Sequence, residues 1–398
     1  MKILLLENIH PAAAEKLASC GYKAEQRKAA LSEEELCKII PSVHLLGIRS
    51  KTQVTERVLK AAKNLLAVGC FCIGTDQVEL EAAALAGVPV FNAPFSNTRS
   101  VAELTVAEIV MLARRAAHKS QLLHTGVWEK SADGCVEVRN KTVGLIGYGH
   151  IGPQVGVLAE AFGMRVLYFD IQTKLPLGNA TPVENLSKLL EQSDFVSLHV
   201  PETPDTRGMI GAKELKKMKK GACLLNLSRG RVVDLPALRA ALDSGHIGGA
   251  AVDVFPVEPS SNDELFECPL SGVPNVILTP HIGGSTAEAQ RNIGLEVVNT
   301  FVKFTETGST TGAVNFPQVE LPLVKESHRI LNMHQNVPGV LSQINTIIAE
   351  MGANIRGQYL GTMKDVGYLI IDVDSILSKA VKKRIDTLDA NIKTRLLF

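Results

Sequence analysis

The 398-residue sequence lacks the features that mark membrane, secreted and nucleic-acid-binding proteins. No apolar run reaches the roughly 20 residues that a transmembrane helix needs. Near the start, Glu7 interrupts an apolar stretch that is already too short for the hydrophobic region of a signal peptide. The 42 basic and 41 acidic side chains are interspersed and leave a formal net charge of +1. We therefore expect small-molecule partners, with no nucleic acid and no membrane.

Paired cysteines are also absent. The seven cysteines form neither an even disulfide framework nor a C-x-x-C set, so we interpret them as reduced thiols. Cys70 and Cys72 flank Phe71 in a stretch that is more typical of a strand with alternating faces than of a metal site. We expect a cytoplasmic protein without a bound metal.

Short apolar runs alternate with amphipathic segments, a pattern typical of parallel strands separated by helices. The predicted strands cover residues 2–6, 44–48, 66–70, 88–91, 195–200, 222–227, 249–254 and 276–279, and the longer helices cover residues 102–117 and 288–304. Because the series starts well before the glycine motif described below, a first α/β unit precedes the nucleotide-binding one. The length allows two or three domains.

A different pattern follows the proline-bearing stretch 315–322, which we interpret as a linker. The remaining residues predict strands at 329–333, 354–360, 367–373 and 393–398, with helices at 339–351 and 378–388. The order βαββαβ is that of a ferredoxin-like sandwich. The predicted fold class is α/β, with two Rossmann-like doubly wound parallel-sheet domains and a C-terminal ferredoxin-like domain.

An apolar run at residues 141–146 leads directly into a G-x-G-x-x-G motif, Gly147, Gly149 and Gly152. A second run, 165–169, ends in Asp170, which gives the spacing of a Rossmann dinucleotide site. Gly147 permits the tight turn, Gly149 lets the backbone approach a pyrophosphate, and Gly152 lets the helix pack on the strand. Asp170 can accept hydrogen bonds from ribose hydroxyls and would repel a 2′-phosphate. NAD is therefore favoured over NADP, although Lys174 leaves a poorer phosphate-accepting alternative.

Three chemically complementary side chains follow successive predicted strands, where open α/β sheets bind their ligands. Arg229 can hold a carboxylate with two hydrogen bonds. His281 has the side chain whose ordinary pKa suits proton transfer near neutrality, and Glu258 could orient its ring and raise its pKa. Each residue alone is more often structural or solvated, but their combination predicts an acid/base site.

The chain resembles the D-2-hydroxyacid dehydrogenase family over essentially its whole length. The motifs that carry the resemblance are the glycine motif, Ser228-Arg229-Gly230, Asp253-Val254-Phe255, Glu258-Pro259 and Pro280-His281-Ile282-Gly283-Gly284. The resemblance implies that Arg229 orients the substrate, that His281 is the acid/base and that Glu258 is its partner. It further implies NAD contacts at Gly147, Gly149, His150, Ile151, Gly152, Asp170, His199, Pro201, Leu227, Ser228, Asp253, Gly283 and Gly284.

Residues 91–103 and the appended domain resemble, more narrowly, the bacterial branch of that family that oxidises D-3-phosphoglycerate to 3-phosphohydroxypyruvate in L-serine synthesis. A phosphorylated substrate needs additional donors. Arg49 and Ser50 lie just after a predicted strand, and Asn97 and Lys130 are similar to further family contacts. The alternative is that Arg49 and its neighbour Lys51 are ordinary surface charges.

Residues 334–341 resemble the strand end and helix start of an ACT domain, a fold that binds amino acids between paired copies. His334, Asn336 and Asn354 would then form an effector site for L-serine, with feedback inhibition as the leading hypothesis. The alternative is a dimerisation module without a ligand. The junction 323–328 contains no glycine and so offers no obvious hinge, which leaves the transmission of a serine signal open.

The resemblance divides the chain into a discontinuous substrate-binding domain (1–96 and 290–317), an NAD-binding domain (97–289) and an ACT domain (318–398). Two separate pairing surfaces favour a homotetramer, and a dimer stays open. Other functions also stay open: oxidation or reduction of another D-2-hydroxy acid pair, including 2-oxoglutarate to 2-hydroxyglutarate, and an NADH-sensing scaffold. The intact set of Arg229, Glu258 and His281 argues against the scaffold.

Overall fold

The computed structural model describes residues 1–259, 263–324 and 326–398. The chain forms two compact units, one of Met1–Ser96 with Gln290–Phe398 and one of Asn97–Ala289. Lys325, within the junction considered above, lies outside the described residues. In the described ranges no helix is both long and apolar enough to cross a membrane.

Residues 1–96 contain a five-stranded parallel sheet with the order β2-β1-β3-β4-β5. Its strands are Ile3–Leu5 (β1), Ala24–Gln26 (β2), Leu45–Ile48 (β3), Ala67–Cys70 (β4) and Val90–Asn92 (β5), and its helices are Pro11–Ser19 (α1), Glu33–Ile39 (α2), Glu56–Ala61 (α3) and Leu80–Leu85 (α4). The sequence predicted every strand except β2. This edge strand is short and largely exposed, so it carries no apolar run to reveal it.

Residues 97–289 contain a seven-stranded parallel sheet with the order β12-β11-β10-β9-β6-β7-β8. Its strands are Thr142–Ile146 (β6), Arg165–Phe169 (β7), Thr181–Pro182 (β8), Phe195–Leu198 (β9), Ala222–Asn226 (β10), Ile247–Val252 (β11) and Val276–Leu278 (β12). Every residue of β6, β9 and β10 is buried, as expected for central strands covered on both faces. From β6 the chain adds β7 and β8 on one side of the sheet and β9 to β12 on the other, so the strand order reverses between β6 and β9. Doubly wound sheets bind their ligands at such switch points.

The helices that cover this sheet are Thr98–Ala113 (α5), Ala116–His124 (α6), Ile151–Ala161 (α7), Leu186–Gln192 (α8), Ala212–Lys217 (α9) and Leu235–Asp243 (α10). A single helix was predicted for residues 102–117, and this prediction was wrong. The helix starts earlier and breaks at Arg115, whose left-handed backbone (φ 52°) separates α5 from α6. Because the apolar pattern continues across the break, the sequence did not reveal the break.

The last part of the chain begins with a long helix, Ala287–Thr307 (α11), and ends in a four-stranded antiparallel sheet with the order β14-β15-β13-β16. Its elements are Ser327–Gln335 (β13), Val340–Glu350 (α12), Ile355–Met363 (β14), Val366–Asp374 (β15), Ser378–Ile385 (α13) and Asn391–Leu397 (β16). The predicted ferredoxin-like order is confirmed.

Both faces of this small sheet are buried. Along β13 and β15, Ile330 and Ile371 face α12 and α13 in one core, while their neighbours Leu331 and Ile370 belong to a second core. The second core also contains Phe304, at the end of α11, together with residues of the five-stranded sheet. Because successive strand residues point to opposite faces, one sheet closes two hydrophobic cores. The ferredoxin-like domain is thus built into its unit.

A buried arginine, Arg329, forms an ion pair inside the small domain and hydrogen bonds to the segment that precedes it. Arg329, on β13, donates through Nε and Nη2 to the two carboxylate oxygens of Asp372 on β15, each at 2.7 Å. Its Nη1 and Nη2 also donate to the carbonyls of Thr307, Leu321 and Pro322 at 2.8–2.9 Å. Arg329 and Asp372 are both nearly inaccessible to solvent. The guanidinium therefore fixes the linker at the start of the domain.

Candidate active site

The glycine motif lies at the switch point of the seven-stranded sheet. Gly147 follows β6 with φ 91°, and a Cβ atom at this position would lie 2.4 Å from the carbonyl oxygen of His199. A Cβ on Gly152 would lie 2.4 Å from the carbonyl oxygen of Gly147. Around Gly149, by contrast, no other atom of the described residues comes within 4 Å of that position. The open space beside Gly149, next to the N-terminus of α7, fits a cofactor pyrophosphate.

Asp170, at the end of β7, braces this loop. Its carboxylate accepts the backbone N–H of Tyr148 and that of Gln172, each at 2.8 Å. The ring of Tyr148 stacks on that of Tyr168, with ring centroids 3.9 Å apart. The carboxylate is thus held beside the glycine loop, where it would repel a 2′-phosphate, in keeping with NAD.

His281 and Glu258 form the predicted pair. The imidazole Nδ1 lies 2.8 Å from Oε2 of Glu258, whose Oε1 accepts the backbone N–H of Phe255 at 3.1 Å. The hydrogen bond to Glu258 raises the pKa of His281 above its ordinary value, against the opposing effect of burial. Burial alone would raise the pKa of Glu258, but its hydrogen bonds from His281 and Phe255 outweigh that effect and lower the pKa. The pair therefore favours an imidazolium facing a carboxylate.

Asp253 organises the loop that carries His281. His281 has a left-handed backbone (φ 54°), and its N–H donates to the Asp253 carbonyl at 2.8 Å. The buried Asp253 carboxylate accepts hydrogen bonds from Thr279 Oγ1 at 2.6 Å and from the N–H groups of Ile282 and Gly283 at 2.8 Å. These bonds hold the backbone from which the imidazole projects. The contact predicted between Asp253 and the nicotinamide carboxamide stays a prediction.

Arg229 follows β10 in a turn that Asn226 holds, a role that the sequence did not reveal. The Asn226 side chain donates to the Arg229 carbonyl at 3.0 Å and accepts from the N–H and hydroxyl of Ser228 at 3.1 and 2.8 Å. Within the described residues Arg229 has no carboxylate partner. Its charge lowers the pKa of both His281 and Glu258, which places it near the pair. The sequence signal for this role of Asn226 would have been a polar residue at the end of a fully buried strand.

His199 ends β9 and carries a neutral ring. Its Nε2 lies 3.0 Å from the Ser197 hydroxyl, while Nδ1 has no partner among the described residues. Burial lowers the pKa of His199 to about 3. The ring is therefore neutral near pH 7, and the predicted cofactor contact of His199 stays a prediction.

The predicted substrate-binding residues of this unit differ in their surroundings. Asn97 is buried at the start of α5, and its Oδ1 has no partner in the described part of the chain. A Cβ on Gly284 would lie 2.3 Å from Asn97 Nδ2, so a larger residue at this position would displace the Asn97 side chain. Lys130 is exposed and forms neither a hydrogen bond nor an ion pair with any described residue. Arg49 and Ser50 belong to the other unit and are described below.

The predicted effector residues are divided between the two ends of the antiparallel sheet. His334, next to Gly367 in the β13–β15 pairing, and Asn336, whose amide donates to the Lys364 carbonyl at 2.9 Å, lie at one end. Asn354 precedes β14, whose first residue pairs with Val373 at the opposite end. At about 3.3 Å per residue, the length of β14 separates them by roughly 25 Å. Within one chain the structure does not bring the three residues together.

Glu108, on α5, is a buried acid that the sequence analysis missed. It is 1% exposed, and neither carboxylate oxygen has a partner among the described residues. Burial, with a smaller contribution from the charge of Asp253, raises the pKa of Glu108 from 4.5 to about 8. Glu108 is therefore a neutral carboxylic acid near pH 7.

Glu108→Gln is expected to stabilise the folded protein most at alkaline pH. The folded-state pKa is raised, so the stability contributed by the neutral acid is complete below about pH 4.5 and is lost as the pH rises through about 8. Glutamine stays neutral throughout, and each pH unit of that window corresponds to about 1.4 kcal/mol at most. Chemical unfolding at pH 5, 6.5 and 8 measures the effect, with the exposed Glu103→Gln on the same helix as control. Parallel pH dependences for Glu108→Gln and the unsubstituted protein would contradict the assignment.

Comparison with known proteins places this site in a family. Residues 106–283 match the model of the D-isomer specific 2-hydroxyacid dehydrogenase NAD-binding domain, and residues 330–393 match that of the AHAS small subunit-like ACT domain. A D-isomer specific 2-hydroxyacid dehydrogenase from Lactobacillus delbrueckii ssp. bulgaricus, solved with NAD, is 26% identical over 77% of this chain and 97% of its own, with a TM-score of 0.68. These matches confirm the fold class and NAD as the cofactor.

Two relatives that align over nearly their whole length assign the chain to one branch of this family. D-3-phosphoglycerate dehydrogenase of Dictyostelium discoideum is 54% identical over 100% of this chain and 97% of its own length. D-3-phosphoglycerate dehydrogenase of Escherichia coli (strain K12) is 52% identical over 100% of this chain and 98% of its own. Since one of these relatives is eukaryotic, the similarity extends beyond bacteria. The chain belongs to the D-3-phosphoglycerate dehydrogenase family of NAD-dependent D-2-hydroxyacid dehydrogenases, with a C-terminal ACT domain.

Proposed function

We propose that this chain oxidises D-3-phosphoglycerate to 3-phosphohydroxypyruvate with NAD, the first step of the phosphorylated route to L-serine. The observation that carries the proposal is the 2.8 Å contact between His281 and Glu258, near Arg229. It occurs in a chain that aligns over nearly the whole length of two D-3-phosphoglycerate dehydrogenases. This arrangement supplies a proton acceptor, a group that stabilises its charged form and a cation for the substrate carboxylate.

The three side chains have separate tasks in the proposed reaction. Arg229 holds the substrate carboxylate, which sets the carbon that carries the hydroxyl. Because Nδ1 of His281 bonds to Glu258, Nε2 is the ring nitrogen that takes the hydroxyl proton during oxidation. Glu258 stabilises the resulting imidazolium, and in the reverse direction that imidazolium returns the proton. The bound nicotinamide supplies the hydride-accepting chemistry.

We further propose that Arg49 and Ser50 bind the substrate phosphate, with Asn97 and Lys130 as additional contacts. Arg49 follows β3, and no carboxylate of the described residues lies within ion-pairing distance of it or of Lys51. A guanidinium without an internal partner can donate two hydrogen bonds to a phosphate. The same site would handle the unphosphorylated 2-oxoglutarate less effectively.

The ACT domain is proposed to bind L-serine between two copies of the chain. His334 and Asn336 lie at one end of the sheet and Asn354 at the other, so a complete set requires Asn354 from a second copy. Such pairing, added to a dimer of the dehydrogenase part, makes a homotetramer.

The seven free thiols support a cytoplasmic location.

NADH oxidation by the purified protein with phosphohydroxypyruvate, with and without millimolar L-serine, tests the activity and its regulation. Strong activity that serine suppresses supports both proposals, whereas activity indifferent to serine leaves the ACT domain with assembly or another ligand. Activity with 2-oxoglutarate alone would indicate another D-2-hydroxyacid substrate.

Arg49→Ala is expected to raise KM for phosphohydroxypyruvate by about tenfold or more and KM for hydroxypyruvate far less, because only the first presents a phosphate. Steady-state kinetics with both substrates measures the ratio. Arg57→Ala, an exposed arginine of the same unit paired with Glu33, is the control. Equal effects on both substrates would refute the phosphate assignment.

A further inference from the structure

A buried carboxylate lies directly behind the loop that carries the proposed phosphate donors. Glu7 follows β1, is 7% exposed and accepts two backbone hydrogen bonds from residues more than forty positions away. Its Oε2 accepts the N–H of Lys51 and its Oε1 that of Thr52, each at 2.9 Å. One side chain therefore ties two successive peptide groups of the loop 49–52, called here the basic loop.

The backbone around Glu7 is arranged to direct its side chain to that loop. Glu7 and Asn8 both have left-handed conformations (φ 61° and 53°), which non-glycine residues seldom adopt. Their N–H groups donate to the carbonyls of Ala29 and Arg27 at 3.3 and 3.2 Å. Since β1 and β3 are parallel neighbours, with Leu5 opposite Gly47, the chain leaves both strands at the same edge of the sheet. Two adjacent strained residues at a strand end point to a functional constraint.

Other contacts hold the basic loop from its first and last residues. The carbonyl of Arg49 accepts a hydrogen bond from Gln77 Nε2 at 2.5 Å, and the hydroxyl of Thr52 accepts the Leu31 N–H at 3.4 Å. The backbone of the loop is thus fixed on both sides. Among the described residues, neither Arg49 nor Lys51 forms an ion pair. A fixed backbone with two uncommitted cations is a preorganised site for an anion.

We propose that Glu7 is a positioning residue that sets the preference of this enzyme for a phosphorylated 2-oxo acid, by holding the basic loop in the shape that presents Arg49 to the phosphate. The inference rests on the proposed function. Glu7 does not touch the phosphate in this account, since both of its oxygens are occupied by the N–H groups of the loop. Its carboxylate is needed because the two N–H groups bond to two different oxygens, whereas an amide has one acceptor oxygen and a donor NH2 group in the second position.

Glu7→Gln is the test, because it preserves the shape of the side chain and replaces one acceptor oxygen by a donor. KM for phosphohydroxypyruvate is expected to rise about tenfold, with kcat within about twofold and kcat/KM for hydroxypyruvate within about twofold. Glu7→Asp retains two acceptor oxygens on a shorter side chain. Its KM for phosphohydroxypyruvate should lie between that of the unsubstituted protein and that of Glu7→Gln. Glu25→Gln, an exposed carboxylate on β2 paired with Arg27, is the matched control and should leave all constants unchanged.

The outcomes separate a positioning role from a structural one. Equal changes with both substrates, or a lower melting temperature with unchanged KM values, would overturn the inference. If Arg49→Ala is selective for the phosphorylated substrate and Glu7→Gln is not, the role of Glu7 fails and the proposed function stands. If Arg49→Ala is not selective either, the phosphate assignment fails and this inference fails with it. Should Glu7→Gln not fold, Glu7→Asp gives the same readout with a smaller selective rise.

Discussion

His281→Ala is expected to lower kcat by about two to four orders of magnitude while leaving the affinity for NADH unchanged, because it removes the proposed proton carrier. The glycine loop and Asp170 do not depend on the imidazole. Steady-state rates together with NADH fluorescence titration separate the two effects. His124→Ala, an exposed histidine in the same unit, is the control. A near-normal rate would refute the assignment.

The same pair predicts the direction of the pH dependence. The hydrogen bond to Glu258 raises the pKa of His281, so the neutral base needed for oxidation forms only as the pH rises past that raised value. Reduction needs the imidazolium and therefore declines over the same range. Glu258→Gln removes the cause of the pKa shift. The rise of the oxidation rate and the decline of the reduction rate should therefore both move to lower pH. Unmoved profiles would show that the contact does not control the titration.

Arg329→Met is expected to lower the free energy of unfolding by about 3–5 kcal/mol, since it leaves the carboxylate of Asp372 buried without its partner. Three carbonyls, those of Thr307, Leu321 and Pro322, also lose their donor. Urea unfolding measures the loss. Arg384→Met, which breaks an exposed pair with Glu350, should cost no more than about 1 kcal/mol.

A second substitution tests the cause of that loss. Adding Asp372→Leu to Arg329→Met removes the orphaned charge, so part of the stability should return. Losses that simply add would indicate that the two side chains contribute independently, and a loss below 1 kcal/mol for Arg329→Met alone would show that the ion pair is dispensable.

The central sheet and the contact between His281 and Glu258 could be predicted from the sequence because both follow from local patterns. Buried parallel strands appear as apolar runs, and side chains that follow such strands gather at one sheet edge. This reasoning located Arg229 and His281 and was sufficient for the glycine loop. It failed for β2, which has no apolar run, and for the helix break at Arg115, where one left-handed residue changes the chain direction within a continuous apolar pattern.

The supporting residues could not be predicted because their partners are remote in sequence. Glu7 binds backbone groups 44 and 45 residues away, and no periodicity links them. The neutral state of Glu108 depends on its complete burial, which cannot be predicted from a glutamate in a helical segment. The separation of Asn354 from His334 follows from strand register, which only the paired structure defines.

The two-faced sheet of the C-terminal domain has a consequence for how this protein can change over evolutionary time. Leu331, Met333 and Tyr368 complete a core that Phe304 and Phe316 cannot close alone. A chain that ended at the linker would expose these aromatic rings to water and risk aggregation. A lineage that discards the module must therefore also replace the apolar side chains that the module covers.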